Sequence, residues 1–168
     1  FLSGGASFGN VVAVAPAALL RSLLLGHIGD SRCYRWRNHT LVQITRDHSL
    51  LQEQLDAGLI TAEQAAVSPN RNLVTRALGV EASVMLEVNE FKVEAGDVYV
   101  MCSDGLSDMV SDAAIAAEFS RSHTLDALAE NLIHIANDAG GRDNVSVLLV
   151  KSSQSSKNRG LVDRLLGK

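Results

Sequence analysis

Cysteine is scarce in this chain: Cys33 and Cys102 stand far apart, and neither belongs to a Cys/His spacing that suits zinc. Both fall within apolar, strand-like runs, which reads as small core residues in a reducing compartment rather than a disulfide. A basic excess is absent as well. The net charge of −4 leaves nothing to meet a phosphate backbone, which argues against a generic nucleic-acid binder and suits acidic clusters that hold divalent cations. The longest apolar region, Val11–Leu25, is interrupted by Pro16 and Arg21 and falls short of the ~18 residues a spanning helix needs. No basic residue precedes it, so it does not read as a signal peptide, and the cytoplasm is the default location. Gly4, Gly5 and Gly9 are followed by no Gly-Lys-Ser/Thr, which argues against a phosphate-cradling loop. What remains is the composition of an ordinary globular protein, 168 residues long, enough for one domain with a substantial core.

Val98–Cys102 is wholly apolar and rich in β-favouring residues, bounded by Gly96-Asp97 and Asp104-Gly105, so it reads as a buried strand. At its end Asp104 leaves the core, and Gly105 lets the backbone turn away. A carboxylate delivered by a rigid strand in this way suits a hard cation or a general base; the plainer reading is a turn in which Asp104 caps its own loop. The arrangement recurs. The apolar run Ser22–Ile28 ends in Gly29-Asp30-Ser31, and Gly140-Gly141-Arg142-Asp143 stands just before the strand-like Asn144–Val150. If these strands share a sheet or a sandwich, Asp30, Asp104 and Asp143 meet at one edge. Crowded carboxylates repel unless a cation neutralises them, and an all-oxygen set favours Mg²⁺, Mn²⁺ or Ca²⁺ over Zn²⁺.

Along the chain, Phe1–Asn10 reads as a flexible lead-in and Val11–Ala15 as a strand, with Pro16–Arg21 the connection onward; a helix over Ala17–Leu25 competes for the same run. Cys33–Trp36 and Leu41–Ile44 flank Asn38-His39 as a hairpin, leaving Arg32 and Arg35 available to solvent or anions. Ser49-Leu50-Leu51-Gln52 and Thr61-Ala62-Glu63-Gln64 are capping boxes, opening one helix that ends at Gly58 and another stopped near Pro69. Between Asp47 and Gly79 this makes a helical, polar excursion suited to a substrate-facing flap. Strands resume over Val84–Val93 with an imperfect alternation. Ser111-Asp112 caps a helix to about Arg121 and Thr124 another to about Ala139, with Leu125, Leu128, Leu132, Ile135 and Ala139 on one stripe. His134 reads as a helix-surface residue. Ser152–Asn158 reads as a polar linker, and Gly160–Lys168 as a short basic tail or disorder.

In order, Gly29-Asp30-Ser31-Arg32, Thr45-Arg46-Asp47-His48-Ser49, Asn72-Leu73-Val74-Thr75-Arg76-Ala77-Leu78-Gly79, Ser103-Asp104-Gly105-Leu106 and Gly141-Arg142-Asp143-Asn144 resemble the bacterial metal-dependent serine/threonine protein phosphatases of type 2C, over roughly Ser22–Lys151. The resemblance implies an α+β fold: two antiparallel sheets in a sandwich flanked by helices, with a metal centre at one edge. It makes residues 1–151 a partial phosphatase domain and 152–168 a linker and tail. It implies that Asp104 and Asp143 bind a catalytic Mn²⁺ or Mg²⁺, the second of two. Asp30 shares a third, looser ion with Asp104, and Ser103, Gly105 and Asn144 fix the loops. Asn72, Thr75 and Arg76 fall in the flap. By the same resemblance the ions activate a water that attacks the phosphate directly, with no phosphoenzyme. The resemblance further implies, as expectations, that the substrates are proteins phosphorylated by a serine/threonine kinase and that the protein is a monomer.

The family's N-terminal acidic pair, its Asp-Gly-x-Gly-Gly-His stretch with the metal-bridging aspartate, and its phosphate-gripping arginine have no counterpart here. Phe1–Arg21 contains no Asp, Glu or His, and the chain opens on Phe1. The expectation is a C-terminal two-thirds of such a domain that binds metal weakly, turns over poorly and exposes a sheet edge or face. One alternative is a non-catalytic module that keeps the fold and binds a phosphoprotein or a regulator. Another is a Gly-Asp-Ser hydrolase with Ser31 as nucleophile, for which His123 and His134 lack the expected Asp-x-x-His setting.

Overall fold

The computed structural model describes residues 6–8, 11–14, 22–68, 73–77 and 85–152. Its strands are β1 (Ala6–Phe8), β2 (Val11–Val14), β3 (Ser22–His27), β4 (Arg32–Arg37), β5 (Thr40–Gln43), β6 (Glu87–Lys92), β7 (Val98–Cys102) and β8 (Val147–Lys151). They form two antiparallel sheets, in the orders β1-β2-β3-β6 and β5-β4-β7-β8. The helices are α1 (Leu50–Asp56), α2 (Ala62–Ala66), α3 (Asp104–Ser107), α4 (Asp112–Arg121) and α5 (Leu125–Asp138).

The central strand β7 is buried along its whole length, because alternate residues serve two different interiors. Tyr99 and Met101 face the gap between the sheets, where they meet Leu23 and Leu25 of β3 and Cys33 of β4. Val100 and Cys102 face the other way, with Tyr34, into a core closed by Leu106, Ile115, Leu128, Leu132 and Ala136 from α3, α4 and α5. A five-residue apolar run with no polar alternation is what a strand covered on both faces requires. Burial in these cores pushes the Cys33 and Cys102 thiols up to about 12, and both are free, as core cysteines should be.

The hairpin turns at Asn38 (φ 49°) and His39 (φ 60°), the doubly left-handed geometry of a tight two-residue connection. Ser49, Thr61, Ser111 and Thr124 all cap their helices through side-chain oxygens; only Thr61 completes the reciprocal box, with Gln64, while Gln52 instead bonds Asp56.

Several expectations shift. Phe1–Asn10 includes the strand β1 rather than being flexible throughout, and the competing helix over Ala17–Leu25 fails where described, since residues 22–25 belong to β3. The second flap helix stops at Ala66, before Pro69, which lies outside the described residues, as do the connection 16–21 and the segment 153–168. In β6 the polar Glu87 and Asn89 turn inward with Phe91, and Val88 is exposed, as is Leu24 of the neighbouring strand. Arg32 is not left to anions but forms a bidentate pair with Asp47. The last strand starts at Val147 rather than Asn144, because Asn144 and Ser146 are bonded to the turn at Ser103.

Candidate metal centre

At the end of β7, Ser103 takes an extended backbone and Asp104 begins α3. The Ser103 hydroxyl donates to the Asn144 carbonyl at 2.9 Å and accepts the Ser146 N–H at 3.1 Å; its own N–H donates to the Ser146 carbonyl at 3.2 Å. Beneath this strap the loops touch so closely that a Cβ on buried Gly105 would lie 2.4 Å from the Asn144 oxygen. Glycine is needed there for space, not for backbone conformation. Each aspartate is then steadied by the N–H that follows it: Asp104 Oδ1 accepts from Gly105 at 3.0 Å, and Asp143 Oδ1 from Asn144 at 2.7 Å. Asp104 is half-buried, and Asp143 and Asn144 are exposed.

Asp30 follows Gly29 (φ 94°) in the turn between β3 and β4. Burial pushes its carboxyl above the ordinary range, and the nearby negative charge of Asp104 pushes it further, with smaller contributions from Asp47 and Asp108. Asp30 thus feels Asp104, while Asp143 is tied to Asp104 through the strap. Among the described residues, the three ligand-type groups within 4.8 Å of one another are His27, His48 and Glu87, not the three aspartates.

The flap segment at residues 73–75 runs beside the start of α1, with a bridge between Ser49 and Val74 and a bond from Leu50 N–H to the Leu73 carbonyl at 2.9 Å. The Thr75 hydroxyl donates to Glu53 at 2.8 Å. Arg76 is exposed, and Asn72 lies outside the described residues.

Sequence reasoning missed a second polar cluster. His27 on β3 lies opposite Glu87 on β6, and the His27 and His48 rings are 4.8 Å apart. Burial, then the neighbouring His48, lowers the His27 pKa; neither ring nitrogen completes a hydrogen bond, although the Ser31 backbone lies near enough to favour the charged form. Glu87 is held below its ordinary range chiefly by the His48 hydrogen bond. The available signal was the pairing of two motifs. Consecutive Asp47 and His48 reach back to Arg32 and Gly29, so Thr-Arg-Asp-His-Ser locks onto Gly-Asp-Ser-Arg. The hydrolase alternative finds no base in the residues considered for it: Ser31 is buried, His123 is exposed, and His134 pairs with Asp138 on the surface of α5.

A family profile described as "Stage II sporulation protein E (SpoIIE)" matches residues 49–153. The serine/threonine phosphatase stp of Listeria monocytogenes is 38% identical over 146 residues, covering 87% of this chain and 58% of the relative. The protein phosphatase PhpP of Streptococcus pneumoniae is 36% identical over 131 residues, covering 78% and 53%. Among solved structures, the Mycobacterium tuberculosis serine/threonine phosphatase PstP/Ppp superposes with a TM-score of 0.79 at 38% identity, covering 85% of this chain and 59% of that one. The catalytic domain of PstP in complex with two manganese ions gives 0.73 at 37%, covering 84% and 56%. The chain therefore spans little more than half the length of these relatives.

Proposed function

This chain belongs to the bacterial type 2C (PPM) family of metal-dependent phosphatases, and on that premise we propose that it carries part of the active site of an enzyme hydrolysing phosphoserine and phosphothreonine in proteins. The observation that carries the reading is the strap: Ser103, Gly105 and Asn144 hold the loops of Asp104 and Asp143 in contact. The residues fit a hard cation. The donors are all carboxylate oxygens, and the Asp30 carboxyl is raised first by burial and then by the charge of Asp104 beside it. When bound, Mn²⁺ or Mg²⁺ would screen the phosphate's negative oxygens and acidify a water.

In this reading Asp104 and Asp143 hold a catalytic ion, and Asp30 with Asp104 holds a further, looser one. Anchoring one oxygen of Asp104 and one of Asp143 on backbone N–H groups fixes the direction of the other before an ion arrives, which lessens the ordering cost of binding. Thr75, Arg76 and Asn72 lie in the segment that governs access of a phosphoprotein. No helix among the described residues is long and apolar enough to cross a membrane. A cytoplasmic monomer opposing a serine/threonine kinase suits this reading.

The test is Mn²⁺-dependent hydrolysis of p-nitrophenyl phosphate and of a phosphothreonine peptide by the purified chain, with Asp104→Asn beside it. Since the chain holds only part of the site, we expect slow Mn²⁺-dependent hydrolysis by the wild type that Asp104→Asn abolishes. Equal rates in both would overturn it. Mn²⁺ binding through Asp104 without any turnover would favour the non-catalytic phosphoprotein-binding module instead.

A further inference from the structure

Beneath the Asp30 turn, His27, His48 and Glu87 each bring a ligand-type atom within 4.8 Å of the others. The spacing suits a cation, but the protons do not. His48 Nδ1 accepts the Gly29 N–H at 3.1 Å, and a backbone N–H can only donate. In the neutral ring the proton therefore sits on Nε2 and is donated to Glu87 Oε2 at 3.0 Å. No lone pair of His48 faces Glu87, so the cluster is a hydrogen-bond chain, Gly29 to His48 to Glu87.

His48 also acts through its own backbone. Its N–H donates to the Gly29 carbonyl at 2.8 Å, and its carbonyl accepts the Thr75 N–H at 2.8 Å. Both polar backbone groups of Gly29 are thus satisfied by one residue, whose remaining backbone group is spent on the flap. The neighbouring Asp47 grips Arg32 with contacts of 2.9 and 2.6 Å, so the turn is held at both ends by consecutive residues. Glu87 orients the His48 ring from β6, and Asn89 steadies Glu87 at 2.7 Å.

We infer that His48 is a positioning residue coupling the flap to the Asp30 turn: order at residues 73–75 holds His48, and His48 holds Gly29 and hence the carboxylate that follows it. The importance of this coupling for metal binding rests on the proposed role of Asp30; the coupling itself is a property of the backbone bonds. It gives substrate engagement at the flap a direct path to the carboxylate edge, through one hydrogen bond from Thr75 to His48 and two between His48 and Gly29, rather than through the core.

The experiment is amide hydrogen exchange at Gly29, with Mn²⁺ titration, on the purified chain. Thr75→Pro deletes the N–H that bonds His48, and Thr75→Val is the control that removes only the hydroxyl. We expect Gly29 exchange to rise about tenfold in Thr75→Pro and to stay at the wild-type value in Thr75→Val. His48→Asn, whose Oδ1 can replace Nδ1 as acceptor, should retain Gly29 protection and Mn²⁺ affinity that His48→Ala loses. His48 is buried and its truncation threatens the fold, so the exposed Thr75 pair carries the decision. Equal Gly29 exchange in Thr75→Pro and Thr75→Val would overturn the inference, as would a folded His48→Asn no better protected than His48→Ala. Because exchange needs no turnover, coupled exchange together with equal hydrolysis by wild type and Asp104→Asn would refute the proposed enzyme and leave the coupling standing.

Discussion

Replacing Gly105 by alanine sets two effects of opposite sign against each other. Gly105 lies in the first turn of α3, where the exchange gains about 1 kcal/mol of helix propensity. The added methyl, however, would lie 2.4 Å from the Asn144 oxygen, 2.9 Å from its carbon and 3.3 Å from the Val145 nitrogen. All are backbone atoms, so no side chain can swing aside. Separating the loops enough costs about 3 kcal/mol of overpacking, and weakening the bonds from Ser103 to Asn144 and Ser146 adds about 1 kcal/mol. The net loss is about 3 kcal/mol, which for a chain of this size lowers the melting temperature by about 6–12 °C. Urea unfolding of wild type and Gly105→Ala, followed by circular dichroism, measures it. Calorimetric Mn²⁺ titration of the folded variant should show weakened binding, because Asp104 and Asp143 no longer share a fixed separation. A variant as stable as wild type would refute the close approach on which the site's geometry depends.

Two further perturbations probe the surroundings. The His27 pKa is depressed below 6.5 by burial, so the unfolded chain binds the extra proton first; stability is full above about pH 6.5 and falls as pH drops toward the folded pKa. Thermal melts from pH 7.5 to 5.5 should show this fall, and His27→Gln should flatten it; an unchanged slope in the variant would reject His27 as its source. Asp97 is buried, and although burial alone would raise its pKa, the Arg37 guanidinium, the Glu94 N–H and the Tyr99 hydroxyl hold it below the usual range. Arg37→Ala strands that carboxylate and should cost about 3 kcal/mol in urea unfolding, whereas a loss under about 1 kcal/mol would mean the pair is merely a surface one.

Where local chemistry decides structure, the sequence was readable. Val98–Cys102 forms the expected strand, Asn38-His39 the expected turn, and Ser111 and Thr124 cap helices close to the anticipated limits. Asp104 and Asp143 could be linked because one ends and the other precedes an apolar run, and in the structure a Ser103–Asn144 bond joins their loops. What could not be read depends on partners distant in sequence. The inward turn of Glu87 follows from His48, 39 residues away, and that of Arg32 from Asp47, 15 residues away. The late start of β8 follows from the same kind of cause: Ser146 is β-competent, but its N–H and carbonyl are engaged by Ser103, 43 residues earlier. No window of local propensity contains both members of such a pair.

In the proposed reading, Asp104 and Asp143 hold one divalent cation between strapped loops. Calorimetric titration of Mn²⁺ into wild type, Asp104→Asn, Asp143→Asn and the double variant tests it most directly. Either single substitution should weaken the same site, and the double variant should add little to the worse single one, since a shared ligand set fails as a unit. Independent, additive losses, or wild-type affinity in either single variant, would contradict it.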